Sequence, residues 1–337
     1  MNRKACRVGM VLGKFLPPHL GHLHLVEFGL EQCERLYVVV GSLAAEPIPG
    51  ALRWTWMKEL CPRAHVLHLT DENPQYPEEH PDFWAIWRRS LTAVLPEPVD
   101  VVFASEAYGH RLAVELGARF FPVDPARGAQ AIAASRIRAD PMGCWRYLPR
   151  IVRPWYVKRV VVVGPESSGK TTLAAQLAAR LGTVMVPEYA RTWLEYRHQQ
   201  GQVGWSAADL GPIVAGQAAS AAVLARDAER VLIADTDRLT TRVWAELSLG
   251  ACPDWLRQEA AAERYDLTVL CRPDLPFEPD PVRFHPERRW GFYRRLEELL
   301  RESGRRYVEV WGSGEERGER AIAEVEELVQ QSAPAPA

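Results

Sequence analysis

The run Gly164-Pro165-Glu166-Ser167-Ser168-Gly169-Lys170-Thr171 constrains the fold of this chain more than any other segment. It matches G-x-x-x-x-G-K-[ST], a loop whose backbone N–H groups cradle phosphate oxygens while Lys reaches the β- and γ-phosphates. Such a loop works only where a strand delivers it and a helix leaves it. Here it follows Arg159-Val160-Val161-Val162-Val163 and opens a helical pattern. A second phosphate-handling loop of different design occupies residues 13–22, Gly-Lys-Phe-Leu-Pro-Pro-His-Leu-Gly-His, again after an apolar run (8–12) and before helical spacing. The chain is therefore expected to use nucleoside triphosphates twice.

Short apolar runs alternating with longer periodic ones predict parallel sheets wound on both faces. Strands are expected at 8–12, 36–40, 64–67 and 99–104, with helices at 21–33, 52–61, 82–95 and 109–116. The pattern restarts with strands near 159–163, 183–186, 230–234, 267–271 and 306–310, and helices near 170–181, 188–200, 207–227, 238–248, 287–303 and 318–331. The fold class is thus α/β, two tandem doubly wound domains at 1–155 and 156–331, with an Ala/Pro tail, 332–337, expected to be disordered. Four aromatics and three prolines between 140 and 156 predict a packed boundary rather than a loose linker.

The net charge of −2 and the lack of a basic block argue against nucleic acid as a ligand. The six cysteines form no C-x-x-C pair, which suits reduced, buried thiols in a cytoplasmic enzyme. No apolar stretch approaches the roughly 20 residues that span a bilayer, so no membrane partner is expected.

In the first loop, His19 and His22 share one face of a first helical turn, and Gly21 between them lets a ligand approach the backbone. Free N–H groups, the helix dipole and the Lys14 charge complete a polyphosphate pocket, with Gly13 and Phe15 on the same turn. A lone H-x-x-H pair is equally a helix cap; metal binding lacks a third ligand nearby. With the segment Ile132-Ala133-Ala134-Ser135-Arg136-Ile137-Arg138, this loop resembles the H-x-G-H nucleotidyltransferase superfamily of adenylyltransferases. The resemblance implies direct attack of an acceptor phosphate on the α-phosphorus of ATP, with His19, His22, Lys14 and Arg138 aligning and neutralising the phosphates, Ser135 in contact with them and magnesium upon them. Ala133 and Ser135 depart from the family's serine and threonine.

In the second loop, Gly164, Glu166, Ser167, Ser168, Gly169 and Thr172 accompany Lys170, and Thr171 is the expected magnesium ligand. No N-K-x-D motif supports a GTPase. Glu188, after the second strand, is the candidate base for an attacking hydroxyl, or else a helix-start carboxylate stabilised by the dipole. Tyr189 and Arg191 would border the acceptor. Asp235 ends an apolar strand in the Walker B manner; Asp237 binds metal or sugar, or caps a helix. Arg283, Arg288, Arg289, Arg294 and Arg295 surround a Pro-rich stretch, 273–286, that suits a lid, with Arg289 on the nucleotide.

The order of these segments is similar to that of bifunctional NadR-type proteins, which join nicotinamide mononucleotide adenylyltransferase to ribosylnicotinamide kinase. The likeness implies phosphorylation of nicotinamide riboside (NR), then adenylyl transfer from ATP to nicotinamide mononucleotide (NMN), giving NAD. It places the pyridinium on Trp87, with Trp84 second, because a cation prefers an aromatic face. Some members carry an N-terminal helix-turn-helix; this chain starts directly into its first strand, so no DNA binding is expected. A homo-oligomer is compatible with the sequence. Two rivals stand: a phosphopantetheine adenylyltransferase fused to dephospho-coenzyme A kinase, and an N-terminal domain that only senses nucleotide.

Overall fold

The computed structural model describes residues 4–202, 204–279 and 286–330. The tail 332–337 and Arg283 lie outside the described residues. Two compact units meet in sequence at Val152 and Arg153.

The N-terminal unit carries β1 (Cys6–Gly13), β2 (Cys33–Gly41), β3 (His65–Leu69), β4 (Val101–Ala104) and β5 (Arg119–Pro122), in the all-parallel order β3-β2-β1-β4-β5. Side chains alternate across a strand, so Val38 and Val40 pack on one face with Val26, Met57 and Phe103, while Tyr37 and Val39 join Met10, Leu91 and Leu112 on the other. Both faces are buried, which is why β2 reads as a continuous apolar run. Strand order reverses between β1 and β4, so the loops leaving their C-terminal ends diverge and open a crevice. β5 was not expected: three of its four residues are exposed, and an edge strand lacks the apolar run that marks a central one.

One expectation about cysteine fails here. Cys6 and Cys33 sit opposite each other in the β1–β2 register and form a disulfide. Spacing along the chain could not reveal a pair that strand register creates. Cys61, Cys144, Cys252 and Cys271 are buried free thiols.

The C-terminal unit carries β6 (Lys158–Val163), β7 (Met185–Val186), β8 (Val231–Asp235), β9 (Leu267–Cys271) and β10 (Tyr307–Val310), parallel in the order β10-β9-β6-β8-β7. Val160, Val162, Ile233, Val269 and Val310 form one core with Leu173, Leu177, Val325 and Leu328 of the covering helices. The β6–β8 register pairs Val162 with Asp235, which delivers the β8 carboxylate beside the loop that leaves β6. A helix at Asp254–Ala262 was not anticipated.

The helix Ala207–Leu224 is, by length and composition, apolar enough to cross a membrane, contrary to the expectation that no stretch approached this. Two of its buried polar residues are hydrogen-bonded to neighbouring segments of the unit. Asp209 accepts from Trp193 Nε1 and from the Ser206 backbone, and Gln217 Oε1 accepts from Tyr189 N.

Candidate functional sites

Each unit has a cavity at the C-terminal ends of its strands. In the N-terminal unit, His19 is the N-cap of the helix Leu20–Gln32: its Nδ1 accepts from His22 N at 3.3 Å. Three residues of helix make nearly one turn, so the two imidazoles stack at 3.7 Å, and Phe15 meets His22 edge-on at 4.9 Å. A Cβ on Gly21 would stand 3.0 Å from His19 Cε1, so any larger residue there would press on the imidazole.

Burial, with the charge of Arg127, lowers His19 to about 4; burial, then His19 and Arg127, hold His22 well below its usual 6.5. Both rings are neutral at pH 7, and His22 Nδ1 is buried with no hydrogen-bond partner among the described residues. The unfolded chain takes up these protons near 6.5, so between pH 6.5 and 4 it binds more protons than the folded state, and stability falls as pH drops. His19 alone should cost on the order of 3 kcal/mol by pH 4. Urea unfolding of the full chain across this range should show the loss, and His19→Gln should flatten it; an unchanged slope in the variant would refute the buried neutral imidazole.

Lys14, His19, His22, Ser135 and Arg138 line one cavity of about 730 Å³ with Gly13, Phe15, Gly21, Trp84 and Trp87. Arg138 Nη1 donates to Leu16 O at 2.6 Å, which ties the helix Ala134–Ala139 to the histidine loop. Trp87 Nε1 donates to Pro74 O at 2.8 Å, fixing the indole on the cavity wall; Trp84 packs edge-on against Phe83. Both indoles also touch the core, so core packing and cavity lining coexist.

Three charged residues here escaped sequence reasoning. Glu46 pairs with Lys14 Nζ at 3.0 Å and also holds Arg53. Arg53 is fully buried and donates to the carbonyls of Lys14, Gly41 (3.3 Å) and Ile48 (3.0 Å), joining the loops after β1 and β2. Arg127 lines the cavity from a loop that Asp124 braces by accepting from Gly128 N and Ala129 N. The Val123-Asp124-Pro125 turn was the signal that could have pointed to it.

In the C-terminal unit, the loop 164–171 adopts left-handed backbone at Ser167 (φ 53°) and Gly169 (φ 80°). Gly164 has φ 149°, and a Cβ there would stand 2.7 Å from Cys271 O, so only glycine fits beside β9. Lys170 opens the helix Lys170–Arg180. A cavity of about 300 Å³ is lined by Glu166, Ser167, Ser168, Gly169, Lys170, Thr171, Thr172, Glu188 and Arg191. Trp205, Trp244 and Ile213, on none of the expected motifs, give it an aromatic and apolar part.

Thr171 Oγ1 donates to Asp235 Oδ2 at 2.5 Å, while Asp235 Oδ1 is buried without a partner among the described residues. An orphaned carboxylate oxygen beside a hydroxyl suits magnesium, which takes one or two protein oxygens and completes its shell with phosphate and water. Among the described residues no cluster of three or more His, Cys, Asp or Glu side chains could hold a metal, so an ion here would depend on the nucleotide. Burial raises the Asp235 carboxyl against the opposing pull of Lys170 and the Thr171 hydroxyl. Burial likewise raises Glu188; Lys170 and Arg191 oppose it, and the negative charge of Asp235 adds to it. Glu188 occupies the N-cap position of the helix Tyr189–Gln199 but makes no side-chain cap bond, so its carboxylate faces the cavity rather than the helix.

Three expected contacts are corrected. Asp237 is 1 % exposed and both its oxygens are taken: Oδ1 accepts from Thr240 N and Oγ1, and Oδ2 pairs with Arg305 at 2.7 Å. It caps the helix Arg238–Leu249 and is not among the residues that line the cavity. The Tyr189 ring lies so close to Gly216 that a Cβ there would stand 2.0 Å from it, and it does not line the cavity. Arg289 donates to three backbone carbonyls, and Arg288 and Arg295 bind Leu247 O and Glu246; none of these three lines the cavity, and residues 280–285 of the expected lid lie outside the described residues.

Comparisons with known proteins come to the same two-part organisation. A family profile described as AAA domain matches residues 159–317. The trifunctional NAD biosynthesis/regulator protein NadR of Escherichia coli (strain K12) is 27% identical over 329 residues, 91% of this chain and 80% of the relative. A nicotinamide-nucleotide adenylyltransferase of Aeropyrum pernix is 54% identical over 33 residues, 10% of this chain and 19% of that protein. Among solved structures, a NadR protein in complex with NAD and AMP-PNP superposes with a TM-score of 0.76 at 22% identity, covering 99% of this chain and all of that one.

Proposed function

We propose that this NadR-type chain is a bifunctional enzyme of NAD formation: the C-terminal unit phosphorylates NR with ATP, and the N-terminal unit transfers AMP from a second ATP to NMN, releasing pyrophosphate. The observation that carries this reading is the pairing of two phosphate sites of different chemistry, each with tryptophans on its wall.

In the N-terminal unit no side chain need act as nucleophile. A phosphate oxygen of NMN attacks the α-phosphorus, the bond to pyrophosphate breaks, and His19, His22, Lys14, Arg127 and Arg138 supply alignment and positive or donor character for the charge that builds up. Lys14 exchanges its pair with Glu46 for phosphate. Trp87, held by Pro74, offers its face to the pyridinium.

In the C-terminal unit the 5′-hydroxyl of the riboside attacks the γ-phosphorus and ADP leaves. Glu188, whose pKa is raised, takes the hydroxyl proton, and Lys170 and Arg191 balance the phosphates. Thr171 and Asp235 would hold magnesium, which would supply positive charge against the transferring phosphate. Trp205 and Trp244 suit a flat cationic ring at the acceptor end.

The test is a product assay by liquid chromatography with purified protein, ATP and magnesium, offered NR or NMN. NMN and NAD from the first, and NAD from the second, support both assignments. Phosphorylation of NR with no NAD in either tube would make the N-terminal unit a nucleotide sensor; inertness toward both would send the assay to phosphopantetheine and dephospho-coenzyme A.

A further inference from the structure

The amides of a phosphate loop can point at a ligand only if its carbonyls point away, and those carbonyls need partners of their own. In this chain the partners are two arginines that lie more than a hundred residues downstream of the loop. Arg289 opens the helix Arg289–Glu302; its Nε donates to Glu166 O at 3.0 Å, and its Nη2 to Ser167 O at 3.0 Å and Leu275 O at 2.9 Å. Arg317, in the helix Gly314–Gln330 and 1 % exposed, donates Nη1 to Ser168 O at 2.8 Å, Nε to Gly312 O at 2.9 Å and Nη2 to Arg272 O at 3.2 Å, and pairs with Asp274. The carbonyls of three consecutive loop residues, 166 to 168, are thereby engaged.

Each guanidinium also reaches the segment that follows β9. A third link joins the same two pieces, since Glu278 N donates to Ser167 Oγ at 3.1 Å. Leu275, Pro276 and Glu278 of that segment line the same cavity as the loop. The planar fork of arginine can serve several carbonyls at fixed angles, which an ammonium cannot.

We propose that Arg289 and Arg317 are positioning residues for the nucleotide: they join the phosphate loop and the post-β9 segment into one preset cradle. The inference rests on reading the C-terminal unit as a P-loop phosphotransferase, but not on the identity of its acceptor. Without them the loop must be ordered at the moment of binding, and that cost falls on nucleotide affinity. At the acceptor end Trp205 packs on Leu210, Val214 and Leu256, and Trp244 on Phe292, contacts that involve neither guanidinium.

The probe is ADP, titrated calorimetrically into the full chain; the step that Lys170→Ala removes identifies the P-loop site. Arg289→Gln should weaken that step about tenfold and raise the KM for ATP by a similar factor. The kcat at saturating ATP, the KM for the acceptor and adenylyl transfer should each stay within about threefold. Arg289→Lys, which keeps the charge but not the fork, should recover only part of the affinity. If Arg289→Gln does not fold, Arg289→Lys alone serves, with about a threefold loss expected because the ammonium cannot serve the three carbonyls together. An unchanged ADP step in the folded variants, or a change confined to the acceptor KM, overturns the proposal. Should the parent chain bind ADP but leave NR unphosphorylated, the acceptor assignment fails and the titration still decides the cradle.

Discussion

Lys170→Ala should abolish NR phosphorylation, by on the order of 10³-fold or more, and leave adenylyl transfer to NMN within about twofold. The ammonium, which donates to Pro165 O at 3.0 Å, would do more than contact phosphate. It is the foremost charge opposing the rise of both the Asp235 and Glu188 carboxyls, which burial pushes up. Its removal lets both pKa values climb, so more Glu188 is protonated at pH 7 and unable to accept the hydroxyl proton. Whatever rate survives should therefore increase toward alkaline pH more steeply than in the parent chain. Separate assays with NR and with NMN make the check; a tenfold loss or less in phosphorylation, or a matching loss in adenylyl transfer, would refute the assignment.

The converse result is expected of His22→Ala, with NAD formation from NMN falling on the order of 10²–10³-fold and NR phosphorylation unaffected. His22 is stacked on His19 and flanked by Phe15, and its Nδ1 is buried with no hydrogen-bond partner among the described residues. An imidazole kept neutral by burial already offers one N–H donor and becomes a cation only when a polyanion arrives, so its charge acts where the reaction needs it. Single-turnover formation of NAD from NMN and ATP measures the effect. If the variant retained a tenth or more of the parent rate, the stacked pair would be a helix cap and no more.

Legibility followed distance along the chain. Each phosphate loop is a contiguous strand, turn and helix, so residue order alone placed His19 over His22, Lys170 at a helix start and Asp235 at a strand end. The weaker readings depended on remote partners. Asp237 has the same local signature whether it binds a sugar or caps a helix, and Arg305, packed against it from 68 residues away, settles it as a cap. Tyr189 reads as an acceptor contact until Gly216, on another helix, leaves the space its ring occupies. Trp205 and Trp244 carry no motif, because aromatic walls are assembled from separate segments, here the loop before the helix Ala207–Leu224 and the helix Arg238–Leu249.

By itself the amino-acid order determined the α/β class and the identity and spacing of the two phosphate loops, since period, glycine placement and apolar runs act over a few residues through backbone sterics and local hydrogen bonds. The tertiary structure alone decided what surrounds those loops. Arg53 reaches Lys14 across 39 residues, Arg317 reaches Ser168 across 149, and Cys6 meets Cys33 only through strand register. Buried carbonyls and charges take whichever partner the packing brings within hydrogen-bond reach, and that choice belongs to the sheet order rather than to any stretch of sequence.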